Sequence, residues 1–245
     1  MFFWLCKYVF IGPWLRLVFR PKLRGTQHSP ETGAAVFASN HLSFSDSVFL
    51  MIVVKRHITF LAKAEYFNSP GIKGFFTKWF FKAIGQVAID RSSGSAATAA
   101  LDTGLRVLNR GDFLGIYPEG TRSPDGRLYR GKTGVARMVL QSNTPVIPVV
   151  MVNTDKIQPI GSKWPKIMRV GIQFGEPLDF SRYEGMAGDR LVERAVTDEI
   201  MATLARMSGQ EYVDVYAAGV KSGAVKARPA RRATNAAAEE DEDLL

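Results

Sequence analysis

Cysteine and histidine are scarce in this 245-residue chain, with one of the former and three of the latter. A lone cysteine excludes an intrachain disulfide framework and any cysteine-built metal site. Cys6 stands among Phe, Trp and Leu, the setting of a buried or lipid-facing thiol rather than a reactive one. Three scattered histidines cannot supply a metal centre and leave few candidates for imidazole chemistry. Also missing at the start of the chain is the run of roughly twenty nearly uninterrupted apolar residues that a spanning helix needs. The apolar first twenty residues are broken by Lys7, Gly12-Pro13, Arg16 and Arg20. They show neither the positive start nor the small-residue cleavage site of a secretory signal. No internal repeat is visible, and no nucleic-acid-binding module is recognisable.

What is present is a folding composition, 46% hydrophobic and 22% charged, with a formal charge of +9 from 32 Lys plus Arg against 23 Asp plus Glu. That balance suits a polyanion, whether nucleic acid, an anionic bilayer or a phosphorylated small molecule, and charge alone does not choose. The aromatics narrow the choice because they sit beside the basic residues. In residues 1–25 an interfacial anchor is expected, with Phe2, Phe3, Trp4, Phe10, Trp14 and Phe19 at headgroup depth and Lys7, Arg16 and Arg20 turned to lipid phosphates. The plainer reading is a helix packed on its own core. Residues 72–85, IKGFFTKWFFKAIG, repeat the aromatic-basic mixture and suggest a second bilayer contact.

From Thr32 the pattern becomes one of short apolar runs: 33–39, 57–62, 85–90, 112–118, 144–153 and 168–175. Each is bounded by polar turns, as buried strands are. Helical patterns fall between them, after Asp46 and over 95–110 and 133–143, and a further amphipathic helix over 189–208 places Val192, Val196, Ile200 and Leu204 inward with Gly209 as its stop. Strands alternating with helices predict an α/β fold: a single, largely parallel or mixed sheet covered by helices, preceded by an N-terminal interfacial helix or helix pair. The domain would run over 26–216. Residues 217–245, Ala-rich, then basic, then EEDED, read as a disordered tail.

His28 lies in a polar loop and His57 opens an apolar strand, whereas His41 follows strand 33–39 in the string NHLSFSD, with Asp46 five residues on at a helix start. A carboxylate so placed can fold back onto the imidazole, fix its tautomer and leave the other ring nitrogen to accept a proton. Alternatively Asn40, Ser43 and Asp46 merely cap the helix. A second string, Tyr117-Pro118-Glu119-Gly120-Thr121-Arg122-Ser123, leaves a strand into a Pro- and Gly-rich loop. Glu119 could accept from hydroxyls, Gly120 lets backbone approach, and Arg122 can fork onto phosphate oxygens; an ordinary turn with a surface ion pair is the competing reading. A third, GQVAIDR over 85–91, ends in an Asp-Arg pair, either a phosphate ligand at Arg91 or a strand-end ion pair.

Taken in order, these strings resemble the four sequence blocks of the glycerolipid acyltransferase family, in particular its 1-acylglycerol-3-phosphate (lysophosphatidate) acyltransferases. NHLSFSD resembles the His-x4-Asp block, GQVAIDR the second, YPEGTRS the third, and TPVIPVVM, with Pro145 and Pro148, the proline-bracketed fourth. The match spans residues 40–151 and extends loosely to about 216. Tyr117 stands where Phe is commoner. The resemblance implies His41 as base and Asp46 as its partner, with Arg91, Glu119, Gly120, Thr121 and Arg122 binding the acceptor's glycerol phosphate. Lys132, in RGKTG, resembles a lysine that also meets phosphate, and Lys63 is a weaker candidate of that kind.

The implied reaction moves an acyl group from a thioester, acyl-CoA or acyl-ACP (acyl carrier protein), to the free hydroxyl of 1-acylglycerol-3-phosphate, giving phosphatidate in phospholipid biosynthesis. Glycerol-3-phosphate or another lysophospholipid is the alternative acceptor. No cofactor beyond the co-substrate, no metal and no nucleic acid are implied, and the expected location is peripheral or monotopic on the cytoplasmic face of the cell membrane. A serine hydrolase using Ser43 or Ser45 lacks a Gly-x-Ser-x-Gly elbow. A non-catalytic binder of anionic surfaces fits the charge but leaves the four blocks unexplained.

Overall fold

The computed structural model describes residues 2–63, 71, 74, 79, 86–89, 96–162 and 164–227. Strands are β1 (Lys22–Arg24), β2 (Ala35–Ser39), β3 (Ile58–Lys63), β4 (Gln86–Ile89), β5 (Phe113–Ile116), β6 (Leu128–Tyr129), β7 (Val146–Val152), β8 (Gly171–Phe174) and β9 (Tyr212–Val213). Helices are α1 (Phe2–Leu5), α2 (Ile11–Phe19), α3 (Asp46–Val53), α4 (Ala96–Leu108), α5 (Gly134–Ser142), α6 (Thr154–Ile157), α7 (Arg190–Ser208) and α8 (Ala217–Lys221), with a π-helical turn at Cys6–Phe10 joining α1 to α2.

Seven strands form one sheet in the order β1-β8-β7-β2-β5-β3-β4, parallel throughout except where β8 runs against β7. The alternation along the strands explains the layers. On one face Phe37, Phe113, Ile147, Val149 and Phe174 pack on α2 and α3 through Leu15, Phe19, Phe49 and Leu50. On the other, Val36, Ala38, Leu114, Val146 and Val150 meet α4, α5 and α7 through Leu101, Met138, Val196 and Ile200. Both sheet faces are dry, which is why β2 and β7 read as continuous apolar runs rather than alternating ones. Helix α7 has the expected ends: Asp189 accepts from Leu191 N and Val192 N, and Gly209 closes it in the left-handed region at φ 65°.

Three departures from the sequence reading are physical in origin. Residues 22–24, expected within the anchor, are strand β1 and pair with β8; a three-residue strand carries no readable period. Within the anchor, Phe19 is buried on Phe49, Lys7 donates to the carbonyls of Val54 and Lys55, and Arg16 donates to that of Ile52. These cations satisfy carbonyl oxygens at and just beyond the end of α3, where the helix leaves acceptors unpaired and its dipole is negative, rather than turning to lipid. Finally, the disorder expected from residue 217 does not begin there. Ala217–Lys221 forms α8, and Ala217 packs with Val213 on the fully buried Tyr129. Residues 228–245 lie outside the described residues, as does the aromatic-basic segment 72–85 except at Gly74 and Trp79.

Candidate active site

Strands β2 and β5 are parallel neighbours, paired from Ala35–Phe113 to Ala38–Ile116, so the chain leaves both at the same sheet edge. Topology alone therefore brings residues 40–46 and 117–123 together. His41 Nδ1 lies 2.8 Å from Asp46 Oδ2. A carboxylate can only accept, so Nδ1 carries the hydrogen and Nε2 is left as the accepting nitrogen. Asp46 is fully buried, and the same Oδ2 also accepts from Leu42 N and Ser43 N, each at 2.8 Å. Three donors on one oxygen hold the carboxylate in place before any substrate arrives. The imidazole keeps 18% of its side-chain surface exposed, enough to be reached.

Around this pair several other polar groups are structural. Asn40 clamps β2 to β7, donating to Met151 O (3.1 Å) and accepting from Met151 N (2.8 Å), and also donates to Gln210. Ser43 is fully buried and donates to Gln158 O at 2.9 Å, so it is not presented as a nucleophile. Tyr117 stacks on the imidazole at 3.8 Å between centroids and 11° between planes. It is a floor for His41, more than the incidental replacement of a Phe that its sequence position suggests. Its place two residues before Glu119, at the end of a strand adjacent to His41, was the available signal.

Glu119 departs from the role expected of it. It is 1% exposed, and its two oxygens accept from His41 N (3.2 Å) and Tyr129 N (2.9 Å), so it braces the two loops together instead of facing a polyol. Burial pushes its carboxyl up to about 7, with the two amide bonds opposing that rise. Ser123 N closes the brace from the other side by donating to His41 O at 2.7 Å. Gly120 turns at φ 72°, and a Cβ there would meet the Lys132 stem at 3.0 Å, so that lysine lies directly over the glycine. Lys132 N in turn donates to Pro118 O at 2.8 Å. Thr121 Oγ1 accepts from Lys221 Nζ at 3.0 Å, a partner 100 residues away that no local pattern announces. Thus His41, Asp46, Glu119, Gly120, Thr121, Arg122 and Lys132 share one sheet edge and its loops. Arg91 lies outside the described residues, and the side chain of Lys63 does too.

Exposed apolar side chains cluster on the N-terminal helical segment, whose Trp14 lies near Phe44 of the His41 loop while Tyr8 sits at the far end of α3 beside Lys55. Trp4, Tyr8, Val9, Phe10, Trp14 and Leu17 project from the N-terminal helical segment, Phe10 at 59% and Leu17 at 72% exposure. Trp14, Phe44, Ile157 and Pro165 line a common groove of about 140 Å³. The loop holding Pro165 presents Trp164 at 82% and Ile167 at 76% exposure, beside Lys166. This second apolar projection was missed, although WPK shows the same aromatic-basic mixture that marked the anchor.

Beside this His-Asp pair and its basic Gly-Thr-Arg turn stands one finding from comparison: the acyltransferase family model matches residues 20–152, over half of the chain. The chain belongs to that family. Among named relatives, 1-acyl-sn-glycerol-3-phosphate acyltransferase LPAT1 of Arabidopsis thaliana is 29% identical over 146 residues, 59% of this chain and 39% of its own length. The enzyme of that name from Limnanthes douglasii is 32% identical over 134 residues, covering 54% and 45%. The one from Borreliella burgdorferi is 27% identical over 131 residues, covering 54% and 50%. The matched part of the chain thus spans about two fifths to one half of these relatives. The crystal structure of the 1-acyl-sn-glycerophosphate acyltransferase PlsC from Thermotoga maritima shares the fold, with a TM-score of 0.61 at 19% identity over 86% of this chain and 88% of that one.

Proposed function

We propose that the protein acylates the free hydroxyl of 1-acylglycerol-3-phosphate from an acyl thioester, acyl-CoA or acyl-ACP, giving phosphatidate for phospholipid biosynthesis. The observation that carries this reading is the single carboxylate oxygen of Asp46 held by three donors, one of them His41 Nδ1, which leaves Nε2 poised as a base. The thioester is already activated, so no covalent enzyme intermediate is required. Nε2 takes the proton of the acceptor hydroxyl as its oxygen bonds to the thioester carbonyl carbon. The tetrahedral oxyanion then collapses, the C–S bond breaks, and the imidazolium returns the proton to the departing thiolate. Asp46 keeps the ring in the accepting tautomer and stabilises the transient imidazolium. Arg122 and Lys132, with Arg91 as the resemblance implies, hold the acceptor by its phosphate so that the hydroxyl stays within reach.

The same reading places the protein peripherally on the cytoplasmic face of the cell membrane, where its substrates reside. Supporting it are the exposed Phe10, Trp14, Leu17, Trp164 and Ile167, a kind of surface that water disfavours and a headgroup layer accommodates. No helix among the described residues is long and apolar enough to cross a membrane.

The test is transfer of labelled acyl groups by the purified full chain, from acyl-CoA and acyl-ACP in parallel, to 1-acylglycerol-3-phosphate and to glycerol-3-phosphate, with product position determined. Label is expected in phosphatidate without free fatty acid, and lost in His41→Ala while vesicle binding persists. Near-full activity in His41→Ala would remove the base from the mechanism.

A further inference from the structure

The basic cluster at the Gly-Thr-Arg turn has a member from outside the matched family region, which ends at residue 152. We propose that Lys221, carried by the C-terminal segment 212–221, is a phosphate-binding residue of the acceptor site, joining Arg122 and Lys132 as its third described cation. The identity of that acceptor rests on the acyl-transfer reading above; the phosphate chemistry does not.

The segment is built to deliver this side chain. Strand β9 pairs in parallel with β6, Leu128 N donates to Glu211 O at 3.0 Å, and Arg130 N donates to Val213 O and Val215 O, each at 3.1 Å. Tyr129, wholly buried, packs on Val213 and Ala217 and so fixes the start of α8. Lys221 ends that helix, and its Nζ reaches Thr121 Oγ1 at 3.0 Å, next to Arg122. The same segment and Lys132 line an open groove of about 530 Å³ whose wall includes Arg130, Tyr216 and Gly219.

The cluster gathers three cations at one turn. Among the described residues none of Arg122, Lys132 and Lys221 forms an ion pair, although Arg127, Arg130 and Arg137 nearby in sequence all do. Of the carboxylates near them in the chain, Glu119 is buried and committed to two backbone amides, Asp125 pairs with Arg127, and Asp214, on the wall of the same groove, pairs with Arg130. Burial and the Arg122 guanidinium both lower Lys221, with Glu119 only partly opposing them. A lone hydroxyl contact to Thr121 is a weak reason to hold the exposed ammonium group of Lys221 beside the Arg122 guanidinium. A phosphate monoester, close to dianionic at neutral pH and rich in acceptor oxygens, relieves that repulsion and accepts from all three cations. Because the segment is already docked, ordering Lys221 for this purpose costs little on binding.

The test uses the full chain and the variants Lys221→Ala and Lys221→Arg. In Lys221→Ala the KM for 1-acylglycerol-3-phosphate should rise about 10- to 100-fold, the loss of one charge-assisted hydrogen bond, while kcat changes far less and the KM for the acyl thioester stays put. Lys221→Arg should recover most of the loss. An unchanged acceptor KM in Lys221→Ala, or an arginine variant as impaired as the alanine one, overturns the assignment. Titration of the wild type and Lys221→Ala with inorganic phosphate, followed by phosphorus NMR, separates this inference from the acyl-transfer reading. Phosphate binding that weakens about tenfold in a chain that never acylates lysophosphatidate would sink that reading and leave the phosphate site standing. Equal phosphate affinity in the two chains, or none in the wild type, sinks Lys221.

Discussion

Replacing Asp46 by asparagine separates charge from geometry at the heart of the proposed site. An amide can place its oxygen where Asp46 Oδ2 now sits, still accepting from His41 Nδ1, Leu42 N and Ser43 N. The opposite orientation would set its NH2 group against the two backbone N–H donors, which is repulsive, so the amide is held oxygen-inward and the productive tautomer survives. What disappears is the negative charge facing the imidazolium that forms during proton transfer. At roughly 4 Å between charge centres and an effective dielectric of about 20, that attraction is worth about 4 kcal/mol. At about 1.4 kcal/mol per decade of rate, kcat should fall roughly 10³-fold with little change in either KM. Steady-state kinetics with an acyl thioester and lysophosphatidate measure this, beside thermal unfolding, which should show a loss of only about 1–3 kcal/mol from weaker bonds to the two amides. A variant within tenfold of wild-type kcat would mean that Asp46 only holds the loop amides of Leu42 and Ser43.

Gly120→Ala forces an L side chain into φ 72° and sets its Cβ 3.0 Å from the Lys132 stem, so a stability loss of about 1–2 kcal/mol and a raised acceptor KM are expected; unaltered kinetics would detach Lys132 from the acceptor. Glu119, lifted by burial to about 7 from the ordinary 4.5, holds its proton more tightly in the folded chain than in the unfolded one. Its contribution to stability is therefore fully present below about 4.5 and lost as pH rises through about 7. The change amounts to a few kcal/mol, since each tenfold difference in proton affinity is worth about 1.4 kcal/mol. Chemical denaturation of the wild type minus that of Glu119→Gln should fall over this interval, and a difference that rises instead would refute the assignment. Joint replacement of Phe10, Leu17 and Trp164 by serine should remove flotation with anionic vesicles, since each apolar side chain transferred to lipid contributes about 1.5–3 kcal/mol, while leaving the melting temperature unchanged; retained flotation would place the bilayer contact elsewhere.

Much of the architecture was legible because it is local. Apolar runs of strand length, helical periods between them, the Gly209 stop and the five-residue step from His41 to Asp46 all depend on neighbours a few residues apart, and each appears in the structure where the sequence put it. Short strands β1, β6 and β9 escaped notice because two or three residues carry no period.

The roles of individual polar groups were settled differently, by which distant backbone each one meets. Lys7 and Arg16 looked like lipid ligands until α3 came to lie against them with unpaired carbonyls. Glu119 looked like a substrate ligand until the pairing of β2 with β5 set His41 N beside it and β6 brought Tyr129 N to its other oxygen. Lys221 reached Thr121 only because β9 docks on β6. A sequence states which groups can donate or accept; strand order decides which of them are close enough to do so, and a buried charge takes the partner that order supplies.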